Sequence, residues 1–70
     1  MTPRQCKAAR ALLGWSQTVL AENARASLVT VARFEAGAEV RERTRYDLQR
    51  ALEDAGIEFI DDGVRLVARA

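Results

Sequence analysis

The sequence predicts a mainly α fold, a compact set of four short helices followed by a C-terminal β-hairpin. Three observations predict it. Capping residues precede apolar runs at helical spacing, glycines follow those runs, and near the C-terminus the pattern becomes two β-rich segments around an Asp-Gly step. At 70 residues the chain is the size of one small domain. Such a domain buries only about 60% of its unfolded surface, so its core must be economical.

The elements follow in order. Thr2 is a cap, Pro3 suits the first helical position, and Gln5 stands three residues after the cap. Cys6, Ala9, Leu12 and Leu13 then recur at helical spacing up to Gly14. Trp15, just ahead of the next cap, is placed to staple the start of the following helix. Ser16 caps that second helix, Gln17 to about Asn23, with Val19, Leu20 and Ala24 near one face. Ser27 caps a third helix running to about Ala36, with Val31 and Phe34 inward and Gly37 after it.

Residues 37–43 show no period and read as a loop. Thr44 and Asp47 form a capping pair for a fourth helix that carries Leu48, Ala51 and Leu52 and ends at Gly56. The hairpin is expected over Ile57–Ala68. Residues 1–56 thus form the helical unit, and residues 57–70 supply a hairpin element of the same domain. A two-stranded hairpin alone is marginal in water, so this one must pack on the helices or pair with a second chain.

Composition narrows the function. The chain has no histidine and a single cysteine, which removes the commonest general base, an internal disulfide and a cysteine zinc site. Cys6 reads as a small core or surface residue. Neither an enzyme nor a metal or other cofactor is expected. No apolar stretch reaches the roughly 18 residues of a membrane helix, and the first ten residues lack the apolar run of a signal peptide. A cytoplasmic, nucleoid-associated location is therefore expected. Net charge is only +1. Residues 1–56 hold nine Arg/Lys against seven Asp/Glu, and all the basic residues except Lys7 are arginines, whose planar fork suits phosphate and guanine.

The informative stretch is Ser16 to Gly37. Two short helices joined by a three-residue turn make the geometry in which the second helix enters a DNA major groove. Small Ala21 and Ala24 would let the two helices approach closely. The segment WSQTVLAENARASLVTVARFEAG resembles the helix-turn-helix of the Cro and lambda-repressor (XRE) family, at Ser16, Gln17, Leu20, Ala21, Ala24, Ser27, Thr30, Val31, Glu35 and Gly37. With the helices on either side, the resemblance covers about residues 3–56, and the tail is similar to that of many small bacterial regulators of this type.

The resemblance implies a lambda-repressor-like fold and sequence-specific binding of double-stranded DNA by a small dimeric transcriptional regulator, with residues 27–36 as the reading helix. Ser16 and Gln17, at the start of the second helix, would meet a phosphate, and Gln17 would also brace a reading side chain. Ser27, Leu28, Val29, Thr30 and Arg33 match the face that meets base edges and nearby phosphates. Arg33 suits a bidentate contact to guanine. Arg10 and Glu35 match positions that often form a structural ion pair. Arg41, Arg43 and Arg45 follow the reading helix, where phosphate contacts are common; Tyr46 is equally placed to pack or to bond a phosphate.

Two departures stand out. Arg25 occupies the turn position that is usually glycine, where positive φ costs another residue about 1–2 kcal/mol, so the turn is expected to differ in shape or to weaken the domain. Leu28 and Val29 stand where polar readers are usual. They can touch a thymine methyl but cannot hydrogen-bond. The same pair keeps open a second reading, a protein-interaction module of antitoxin or co-regulator type. For the homodimer, the hairpin residues Ile57, Phe59, Ile60, Val64 and Leu66 are the candidate interface.

Overall fold

Four helices and a two-stranded antiparallel hairpin make up the computed structural model, which describes residues 1–67. The mainly α reading with a C-terminal hairpin therefore holds. Ala68, included in the expected hairpin, lies outside the described residues. No helix among the described residues is long and apolar enough to cross a membrane.

Local chemistry sets the first three helices. In α1 (Pro3–Leu13) the Gln5 amide donates to Thr2 Oγ1 at 3.1 Å while Thr2 N–H donates to Gln5 Oε1 at 2.9 Å, a complete capping box. Gly14 ends α1 at φ 69°. Ser16 caps α2 (Gln17–Ala24) by accepting from the Val19 amide, and Ser27 caps α3 (Leu28–Glu35) by accepting from the Thr30 amide at 3.0 Å. Gly37, at φ 95°, lets the chain leave α3.

Helix α4 (Glu42–Asp54) corrects the expected boundary. It begins at Glu42, so the preceding loop is shorter than expected, and Arg41 holds the cap position without a side-chain hydrogen bond. Thr44 lies inside the helix. Asp47 faces Arg43 one turn back, 3.5 Å away, and makes no capping pair with Thr44. With Glu42 in the first turn favouring the positive end of the helix dipole, the helix starts without a side-chain cap.

The core draws on every helix. Cys6 and Ala9 of α1, Leu20, Ala21 and Ala24 of α2, Val31 and Phe34 of α3, and Leu48, Ala51 and Leu52 of α4 are buried together with Ile57 of β1. Trp15 packs partly buried against this cluster. The small Ala21 and Ala24 lie in the core where α2 packs on α3 and α4.

The hairpin pairs β1 (Ile57–Ile60) with β2 (Gly63–Leu66), Ile57 opposite Leu66 and Phe59 opposite Val64. Its turn is Asp61-Asp62. Gly63 pairs with Ile60, so the expected Asp-Gly turn sits one residue earlier than read. Two bonds tie the turn to the helices: Gln5 Nε2 donates to the carbonyls of Ile60 at 2.7 Å and Gly63 at 3.1 Å. At the open end Val67 N–H donates to Gly56 O at 2.7 Å. The hairpin thus packs on α1 and α4, as its marginal stability alone requires.

Arg25 resolves the question of the turn between α2 and α3. It adopts the left-handed conformation, φ 55° and ψ 41°, so the turn keeps the shape a glycine would give it and carries the strain of a side chain. Arg25→Gly should relieve that strain, partly offset by the greater freedom of glycine in the unfolded chain, for a net gain of about 0.5–1 kcal/mol. Thermal unfolding followed by circular dichroism should show Tm rising by a few degrees. A lower Tm would mean that the arginine side chain holds the turn.

Candidate nucleic-acid interface

One carboxylate organises the region expected to bind. Glu35, the last residue of α3, is 4% exposed. Arg10 of α1 grips it with two of its three guanidinium nitrogens, Nε to Oε2 at 2.6 Å and Nη2 to Oε1 at 2.7 Å. Gln17 Nε2, at the start of α2, donates to Oε1 at 3.0 Å, and the Cys6 thiol donates to Oε2 at 3.2 Å. The remaining nitrogen of Arg10 donates to the Trp15 carbonyl at 3.0 Å. Bidentate pairing with extra donors is the arrangement that offsets the desolvation of a buried charge. Five groups from α1, the α1–α2 turn, α2 and α3 meet here.

The titration of these groups follows. Burial alone would raise the Glu35 carboxyl, but the hydrogen bonds from Arg10, Gln17 and Cys6 together outweigh it and hold the carboxyl below its ordinary value. Burial, reinforced by the hydrogen bond to Glu35, pushes the Cys6 thiol up to about 12. The thiol therefore stays protonated and acts as a donor, in keeping with its reading as a small core residue.

The centre fixes which side of α3 faces out. Val31, Phe34 and Glu35 point inward; Leu28 is 47% exposed, Val29 65%, and Arg33 is exposed beside them. With Glu35 buried, Arg33 is the one exposed charge on α3. Ser27 and Thr30 hold each other, Oγ to Oγ1 at 2.7 Å, while Ser27 Oγ also caps the helix. Ser16 is exposed and its hydroxyl caps α2. Arg41 and Arg43 are exposed at the start of α4; Arg43 faces Asp47, and Arg41 makes no ion pair among the described residues. Arg45 is also exposed, in a shallow depression beside Met1, Phe34 and Val40. Tyr46 is 55% exposed and its hydroxyl accepts from Arg50 at 3.3 Å.

Three placements differ from the sequence reading or were missed by it. Gln17 braces Glu35 and not an outward side chain of α3. Gln5 joins α1 to the hairpin turn 55 residues away, a link that no local pattern announces. Cys6 completes the Glu35 centre, for which the sequence offered only its neighbour at helical spacing, Arg10. Among the candidate dimer residues, Ile57 lies in the core at 4% exposure and Phe59 and Val64 pack against it, so the exposed members are Ile60 and Leu66.

Glu35→Gln keeps the shape of the centre and removes its charge, leaving Arg10 partly buried without a counter-ion. Because the Arg10 side chain is 19% exposed, the expected loss of about 2–4 kcal/mol lies below that for a fully buried pair. Urea unfolding should show a lower midpoint at an unchanged slope. In the parent chain the stabilisation from Glu35 is complete above the unfolded carboxyl pKa of about 4.3 and is lost as pH falls through the lower folded value. The Gln variant should lose that part of the acid sensitivity; acid unfolding identical in both chains would refute it. No family model matches the chain, and no match is found among curated proteins.

Proposed function

We propose that the chain is a sequence-specific double-stranded DNA-binding protein of the Cro and lambda-repressor helix-turn-helix type. It acts as a homodimeric transcriptional regulator in the cytoplasm, at the nucleoid, and works by binding, without catalysis or cofactor. The observation that carries this reading is the α2–turn–α3 unit locked by Glu35, which leaves Leu28, Val29 and Arg33 outward on one helix face. A helix held by its buried side and open on the other suits insertion into the major groove.

In this reading the start of α2, at Ser16 and Gln17, meets a phosphate through its amides. Arg33 reads guanine, Ser27 and Thr30 lie at the groove edge, and Arg41 and Arg43 add phosphate contacts that give affinity without sequence information. Two assays separate it from a protein-binding role for Leu28 and Val29. Affinity for the best duplex from a random pool should fall with salt by about 0.9 in log units per phosphate contact. Arg33→Ala should cost about 1–3 kcal/mol and relax preference at one base pair, whereas Arg41→Ala should weaken all duplexes alike. If neither Arg33→Ala nor Arg41→Ala weakens binding to that duplex, the DNA reading is wrong and a protein partner for this face takes its place.

The dimer places two copies of α3 about 34 Å apart, on half-sites one helical turn apart. The hairpin is the proposed interface, with Ile60 and Leu66 half-exposed at its surface and a strand edge open for pairing. Deleting the hairpin would strip Ile57 from the core, so charge is the cleaner probe. The double change Ile60→Lys and Leu66→Lys should shift sedimentation from dimer to monomer with helical content retained. A dimer that persists rules out the hairpin interface.

A further inference from the structure

We infer that α3 reads thymine through its C5-methyl group, with Leu28 and Val29 as the specificity-determining side chains; this rests on the DNA reading above. The argument starts from what the first turn of α3 can offer a base edge. Its polar groups are Ser27 and Thr30, and they close on each other: Ser27 Oγ accepts from the Thr30 amide at 3.0 Å and shares a hydrogen bond with Thr30 Oγ1 at 2.7 Å. Turning the Ser27 hydroxyl away breaks the bond that caps the helix, and turning that of Thr30 toward a base breaks the bond between the two hydroxyls.

What remains outward in that turn is apolar. Val29, at 65%, is the most exposed large apolar side chain of the described residues, and Leu28 beside it is 47% exposed. In the major groove one base-edge group is apolar, the thymine methyl, and cytosine presents an amino group on the corresponding edge. One turn further on, Arg33 supplies the positive charge that holds this apolar tip against a polyanion, and Arg41 follows beyond α3. Charge complementarity therefore selects duplex DNA as the occupant of the patch, and the apolar tip selects T·A pairs within it.

Deoxyuridine in place of thymidine tests this directly, because it deletes the methyl and leaves base pairing and the O4 acceptor unchanged. The probe is the tightest duplex recovered from a random pool, scanned one thymine at a time. Burying one methyl corresponds to about a fourfold change in affinity, so replacement should cost about fourfold at one or two positions in a half-site, and about fifteenfold when both half-sites are changed. Leu28→Ala and Val29→Ala, both at exposed positions, should bring the thymine-to-deoxyuridine ratio close to one and leave the salt slope unchanged. Salt-dependent binding that ignores deoxyuridine at every position overturns the inference and leaves the DNA reading intact. Failure to bind any duplex in a salt-dependent way overturns both.

Discussion

The fold depends on a buried carboxylate that must never be left alone. Glu35 comes from the last turn of α3, and an isolated charge there would be prohibitively costly. Arg10, Gln17 and the Cys6 thiol all converge on it, and Arg10 also reaches the Trp15 carbonyl. Cys6 and Arg10 lie on α1 and Gln17 on α2, so satisfying one carboxylate of α3 fixes the three helices relative to one another. Apolar packing among Leu20, Val31 and Leu48 holds the helices together but tolerates small slides. A bidentate ion pair tolerates far less.

The second long-range constraint works in the same way at the other end of α1. Gln5 uses Oε1 to finish its own helix cap and Nε2 to hold both carbonyls flanking the hairpin turn. One side chain therefore couples the start of the first helix to the last element of the fold. In a chain of 70 residues, whose apolar core is small, such multiply used polar groups define a single arrangement that burial alone would leave loose.

How much of this was legible follows the range of each interaction. The caps at Thr2, Ser16 and Ser27 were readable because a cap is a contact three residues long, and Gly14 and Gly37 because positive φ is a local demand. Arg25 was readable as a departure, but its conformation was not, since nothing local in the sequence favours the left-handed region for an arginine. The start of α4 was misplaced because it has no side-chain cap to read and Thr44 offered a plausible false one. At the candidate site the outward residues and the Arg10–Glu35 pair were legible through the motif. The bond of Cys6 to Glu35 and that of Gln5 to the hairpin were not, because these partners lie 29 and 55 residues away and neither pairing leaves a periodic trace.

Placement also explains why total charge is a poor guide to this surface. The net charge of +1 says little about binding a polyanion. Yet α3 carries one acidic and one basic residue, and the acidic one is turned inward to meet Arg10. That single burial removes the negative charge from the outer face and leaves Arg33 unopposed on the helix. The same centre thus does two things with one contact: it sets the angle at which α3 is presented, and it sets the sign of what α3 presents. A substitution at Glu35 would disturb both together, whereas one at Arg33 would change only the second.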